Sequence, residues 1–320
     1  MPPRDLIDRF RRDLQALTGA APERLAVAVS GGPDSLALLL LAHAAAPGQV
    51  VAATVDHRLR PENAEEARLA ARVCASLGVP HAILSADAPP AGASVQALAR
   101  ALRYRLLAGW AQGCGALFLA TAHHVDDQAE TVLMRLARGA GVAGLSGVRP
   151  ARPEGEVTLV RPLLGWRRSE LAPIVEGAGV VPVDDPSNRS GAYDRTAFRV
   201  LLDGNGILSS PRIAAAASHL REAEEALAWA ADREWQARAE VDVSGISLNV
   251  AGLPPELLRR LVARAVETLT DSDWRRDKLA TALDALRRGE ASTIAGLRIL
   301  PGALWRFEHA PPRRTVRQAL

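Results

Sequence analysis

With 320 residues, 48% of them apolar, and no apolar run near the ~18 residues of a membrane span, the chain has room for one α/β domain and a smaller companion. Cys74 and Cys114 stand far apart in no C-x-x-C pattern, and the amphipathic, charged N-terminus does not read as a signal peptide. That excludes a disulfide framework, a sulfur-bound metal and a membrane partner, and it points to the cytoplasm. A net charge of +3 and a pI near 9.3 permit a nucleic-acid partner without requiring one.

In chain order, an N-terminal helix over 6–17 precedes a short β-branched run at 25–29, a small-residue turn, and a helix of closely spaced Leu and Ala. A second strand at 49–55 leads to a helix over 64–77, closed by Gly78 with Pro80 beyond. The unit repeats as a strand at 81–84, a helix over 94–110, a strand at 116–120 and a helix over 126–136. Such alternation predicts a doubly wound α/β domain with a mostly parallel sheet. From Arg138 to Pro162 the text turns to Gly, Arg and Pro and reads as loops, followed by a helix over 169–178. Helices over 214–240, 256–269 and 277–288, and a hairpin at 293–307, predict a smaller, mainly helical C-terminal domain. The expected division is 1–210 and 211–320.

The first turn is Ser30-Gly31-Gly32-Pro33-Asp34-Ser35, at a strand's carboxyl end where open α/β sheets bind ligands. Glycines there let amides approach an anion. A Walker loop would need a lysine, and Lys278 is the only lysine in the chain. Asp34 inside the loop would instead repel phosphate unless a divalent cation lay between, which points to magnesium. The pattern resembles the pyrophosphate loop of the N-type ATP pyrophosphatases, which cleave ATP between its α and β phosphates.

The second constellation, His123-His124-Val125-Asp126-Asp127-Gln128-Ala129-Glu130-Thr131, falls where the fourth strand gives way to a helix, at the same sheet edge. Asp127 and Glu130 share a helix face, while Asp126 points elsewhere and could serve as N-cap. Adjacent histidines without H-x-x-x-H spacing disfavour zinc, and hard carboxylates suit magnesium, with Asp34 and Asp127 as its ligands.

That block, together with Asp56-His57-Arg58, Ala99-Arg100 with Arg103-Tyr104, Arg135, Arg161-Pro162-Leu163-Leu164 and Asp185-Pro186-Ser187-Asn188, resembles the tRNA(Ile)-lysidine synthetases in order over about 24–200. The resemblance implies a reaction: ATP adenylates the C2 oxygen of the wobble cytidine in the CAU anticodon of an isoleucine tRNA, and free lysine displaces AMP to leave lysidine. It implies ATP contacts from Ser30, Gly31, Gly32, Pro33, Asp34, Ser35, Asp56 and His57, and a reacting centre of Asp34, His123, Asp127 and Glu130. Arg100, Arg103, Arg135, Asn188, Arg195 and Arg199 are the implied substrate or tRNA contacts. The family usually shows Arg-Asn where this chain has Arg195-Thr196. The partners expected are the isoleucine tRNA and free lysine, with a homodimer left open. Trp274 is a candidate for stacking on a nucleotide or for core packing. The competing readings are a tRNA-thiolating enzyme, disfavoured by two remote cysteines, and a non-catalytic nucleotide-binding protein.

Overall fold

The computed structural model describes residues 1–56, 62–85, 95–183, 194–270, 274 and 277–310. They fall into two compact units, 1–221 and 222–320. The first carries a six-stranded sheet. Its strands β1 (Leu25–Ala28), β2 (Val50–Asp56), β3 (His81–Ser85), β4 (Phe118–Ala120), β5 (Ala151–Glu154) and β6 (Val157–Val160) lie in the order β3-β2-β1-β4-β6-β5. All pairings are parallel except the β5–β6 hairpin.

Period-2 alternation divides each strand between two layers. Leu25 and Val27, Ala52, Ala120 and Val160 join the core built with α1 (Arg4–Thr18), α2 (Pro33–Ala45), α3 (Glu62–Ser76) and α7 (Arg168–Gly177). Their neighbours Ala26, Ala53, Leu119 and Leu159 face Tyr104, Leu107 and Ala111 of α4 (Val95–Gly113) on the other side. Both faces are covered, as a parallel sheet requires. α2 is buried at every residue from Ser35 to Ala42, which explains its uniform Leu and Ala text.

The stretch read as loops between Arg138 and Pro162 holds structure: a one-turn helix, α6 (Val142–Leu145), and the β5–β6 hairpin. Each strand is only four residues long, and Pro153 breaks the pattern of β5. Proline is tolerated there because β5 is an edge strand. α5 (Val125–Ala137) and α8 (Asp194–Asp203) complete the elements that border the site.

α9 (Ser210–Arg238) begins at the expected 210/211 division, and the compact units part within that helix, at 221/222. The second unit holds α10 (Pro255–Leu269), α11 (Asp277–Arg287) and an antiparallel sheet, β7-β8-β11-β10-β9. The expected hairpin is three strands, β9 (Ser292–Ile294), β10 (Leu297–Leu300) and β11 (Trp305–His309). Two further strands, β7 (Ala239–Asp242) and β8 (Gly245–Leu248), are additions to a unit expected to be mainly helical. β7 follows α9 without a break and its first residues were read as the end of that helix, and β8 offers only Ile246 and Leu248 as an apolar signal. Trp274 packs against this unit's core of Leu261, Val266, Ile299 and Phe307, which settles it as a packing residue. Among the described residues no helix is long and apolar enough to cross a membrane.

Candidate active site

β1 and β4 are direct neighbours, Val27 opposite Ala120, so the loop leaving β1 and the start of α5 beyond β4 meet at one carboxyl edge. In the β1 loop Gly31 has φ +81°, a conformation glycine adopts without strain. Its carbonyl accepts from Val183 N at 3.1 Å. Ser35 ties the loop together: its hydroxyl accepts from Ser30 N at 3.1 Å and donates to Gly32 O at 2.9 Å. The Ser30 and Ser35 hydroxyl oxygens are 3.1 Å apart. Gly32 caps α2 and Pro33 occupies its first turn, leaving the helix start aimed at the loop. A Cβ on Gly31 would lie 3.1 Å from Glu66 O in the left-handed region. Gly31→Ala is therefore expected to cost about 1–2 kcal/mol and to weaken ATP binding, read from thermal unfolding and nucleotide titration.

The residue at the centre of the cluster is His124, fully buried, which sequence reasoning passed over in favour of His123. His124, and not Asp126, is the N-cap of α5: its Nδ1 accepts from the amides of Asp126 and Asp127 at 3.2 and 3.4 Å. The Asp127 carboxylate accepts from His124 N at 3.0 Å, closing a capping box. With Nδ1 used as acceptor, the ring proton sits on Nε2. That nitrogen lies 3.3 Å from Asp34 Oδ2 and 3.5 Å from Asp127 Oδ2. Burial opposes charge on the ring, but Asp34 and then Asp127 outweigh it and raise the His124 pKa above 6.5, with Arg168 opposing them. The imidazole thus gathers the two acids predicted from the sequence.

Asp126 faces another element. Its Oδ2 accepts from the backbone N of Arg168 at 2.9 Å, fixing the start of α7. The Arg168 guanidinium lies 3.6 Å from Asp34 Oδ2. Arg168 was absent from the expected residues because Trp166-Arg167-Arg168-Ser169 carries no motif; only the fold brings it to Asp34. Glu130 is 1% exposed and accepts from Arg199 Nε of α8 at 2.9 Å. Asp126, Glu130, Arg168, Ser169, Arg199 and Leu202 line a cavity of about 560 Å³.

The other expected residues divide. His123 lies beside the cluster, its Nδ1 3.1 Å from Thr121 Oγ1, and Asp56 ends β2 at the same edge. Arg100 of α4 stacks over Tyr104 at 5.1 Å, and Arg103 stands one turn on at the surface. Arg135 is drawn instead toward the α6 turn, donating to Gly144 O and Gly147 O at 2.7 and 2.9 Å. His57 and Asn188 lie outside the described residues, and Arg195 is placed only as part of α8.

A metal can be tested against these side chains. Asp34 Oδ1 is buried without a hydrogen-bond partner among the described residues, and Asp127 stands across His124 from it, so hard oxygens are present. No group of three or more His, Cys, Asp or Glu among the described residues is arranged to hold an ion. Two carboxylates with no thiolate beside them are donors that suit a hard cation such as magnesium better than zinc.

Residues 6–203 match the PP-loop domain family. The tRNA(Ile)-lysidine synthase of Zymomonas mobilis is 47% identical over 91% of this chain and 90% of its own. That of Novosphingobium aromaticivorans is 44% identical over 97% and 95%. The chain belongs to the tRNA(Ile)-lysidine synthase family. A solved U34-tRNA thiolase from Methanococcus maripaludis shares the fold, with a TM-score of 0.56 and 20% identity over 68% of this chain and 79% of that one. Against thiolation in this lysidine synthase homologue, Cys74 is buried in the core and desolvation pushes its thiol up to about 12. Cys114 precedes β4, at the sheet edge opposite the site, where its carbonyl accepts from Arg24. Cys74 is expected to resist alkylation at mildly alkaline pH until the protein unfolds, as measured by mass spectrometry of iodoacetamide-treated samples.

Proposed function

We propose that the protein adenylates the C2 oxygen of the wobble cytidine in the CAU anticodon of an isoleucine tRNA and joins free lysine there. In the first step the C2 oxygen attacks the α phosphorus of ATP and pyrophosphate leaves. In the second, the lysine ε-amine attacks C2, AMP leaves with the oxygen, and the amine loses a proton. The observation that carries the reading is Asp34, set in a phosphate-sized loop and facing His124 and Asp127 across the β1–β4 junction.

Ser30, Gly31, Gly32 and Ser35 would cradle the phosphates that leave, with Asp56 and His57 toward the nucleoside. Asp34 and Asp127 would hold magnesium, which when bound neutralises the phosphate charge. His124 keeps the two carboxylates together, and Arg168 limits their mutual repulsion. The cavity beside them suits an amino acid: Arg168 and Arg199 would face its carboxylate, while Asp126 and Asp203 offer charge for the ammonium. Glu130 holds Arg199 at that wall, and His123 would take the amine proton. An amine with a reference pKa of about 10.4 needs such help at neutral pH. Arg103, Arg135, Asn188 and Arg195, with the second unit, are assigned to tRNA contact. The reaction belongs in the cytoplasm, and a homodimer is compatible with it.

The test is incubation with tRNA transcripts, ATP and labelled lysine, followed by nucleoside analysis. Label in lysidine at the wobble position is expected; ATP binding without pyrophosphate release, or a thiolated nucleoside when a sulfur source is supplied, would overturn the reading. Glu130→Gln is expected to raise the KM for lysine more than it slows adenylation.

A further inference from the structure

On the other flank of the site, three arginines crowd one tyrosine. Tyr104 is 6% exposed, and the Arg100 and Arg152 guanidiniums stand over its ring at 5.1 and 5.0 Å. Arg161 follows β6 and is 3% exposed; its Nη1 donates to Arg149 O at 2.5 Å, and its Nε is buried with no hydrogen-bond partner among the described residues. Burial first, and then the charges of Arg152 and Arg100, hold the Arg161 pKa down against the Tyr104 side chain. Burial and Arg100 do the same to Arg135.

The charge balance is lopsided. Among the described residues Glu154 is the one carboxylate paired with this group, and it pairs with Arg152; none is paired with Arg100, Arg135 or Arg161. Guanidiniums held together by a ring and by carbonyls repel one another, and that arrangement is relieved by an anion. Arg100 is exposed and the Arg152 side chain is 36% exposed, so both reach solvent above a floor of Tyr104 and Arg161. Position identifies the anion. Val160, immediately before Arg161, accepts from Thr121 N, and Thr121 contacts His123, so the cluster lies at the carboxyl edge one strand from the reacting centre.

We propose that Arg100 and Arg152, seated on Tyr104 and backed by Arg161, form a subsite for an RNA backbone phosphate next to the reacting base. The inference rests on the proposed function for its partner, the RNA; beside Arg100, which the resemblance already implied as a substrate or tRNA contact, it brings in Arg152, Arg161 and Tyr104 and assigns the group they hold. A planar guanidinium pair matches phosphate oxygens in fork geometry. Backbone contacts of this kind fix register without reading sequence, so the subsite positions the anticodon strand and leaves base choice to other residues.

The experiment measures binding of the CAU-anticodon tRNA transcript without ATP, between about 50 and 200 mM salt. It compares the full-length parent with Arg100→Gln, Arg152→Gln and the two lysine replacements. Each Gln variant is expected to weaken binding several-fold and to lower the slope of log K against log salt by roughly 0.7–1. Arg→Lys should restore most of the slope, and ATP affinity and thermal midpoint should stay near the parent's. Unchanged slopes in both Gln variants overturn the subsite. So does a loss confined to ATP affinity, which would make the cluster a nucleotide site. Lysidine formation by the parent is scored separately: its absence alongside slopes that change as expected condemns the reaction and supports the subsite.

Discussion

Asp34→Asn is expected to lower tRNA-dependent pyrophosphate release by about 10²–10³-fold while leaving the protein folded. The first half follows from charge: the amide keeps the shape but cannot offset phosphate through a bridging cation, and losing one such electrostatic contact costs a reaction ~3–4 kcal/mol. The second half follows from the contacts. Among the described residues Asp34 Oδ1 has no hydrogen-bond partner to lose, and the ion contacts of Oδ2 are loose, at 3.3 Å to His124 and 3.6 Å to Arg168. Circular dichroism and thermal unfolding should match the parent within a few degrees. Pyrophosphate release near the parental rate at saturating magnesium would remove Asp34 from the metal-binding role.

The second large effect is on stability. Arg199→Ala leaves Glu130 buried at 1% exposure without the guanidinium that donates to it at 2.9 Å. Stranding one partner of a buried pair costs about 3–5 kcal/mol. The lower end is expected here, because the Arg199 side chain is 22% exposed and Glu130 has a further interaction. Urea unfolding should show the loss as a shifted midpoint with an unchanged slope. Glu130→Gln in the Arg199→Ala background should recover part of it, since a neutral amide is cheaper to bury. Equal stability of Arg199→Ala and the parent would mean that α8 is not anchored through this pair.

These two residues illustrate how far the sequence could be read. Asp34 was legible because its neighbours are local: loop, helix start and absent lysine all lie within a few positions. The first four strands and their helices were legible for the same reason, each strand being followed at once by its helix across a short connection. The Glu130–Arg199 pair spans 69 residues. Both residues could be singled out by resemblance, yet nothing along the chain says that they touch. His124 was missed because its value lies in burial and in which ring nitrogen the α5 amides occupy. Arg168 was missed because the fold alone sets Trp166-Arg167-Arg168 opposite Asp34. The β5–β6 hairpin escaped because β5, an edge strand containing Pro153, lacks the alternation that reveals a strand, and β6 is a single four-residue run enclosed in Gly-, Pro- and Arg-rich text.

The cations around the site have a chemical consequence beyond charge. Those that the first unit's long basic side chains supply are guanidinium, since the chain's one lysine, Lys278, lies in the second unit and residues 1–221 contain none. An activated nucleobase is an electrophile open to aminolysis, and a resident primary amine beside it would compete with the amine supplied from solution, consuming the enzyme in a dead-end adduct. Guanidinium groups stay protonated and do not attack. A first unit without lysine can therefore hold such an electrophile among many positive charges with no lysine side chain of its own to react with it.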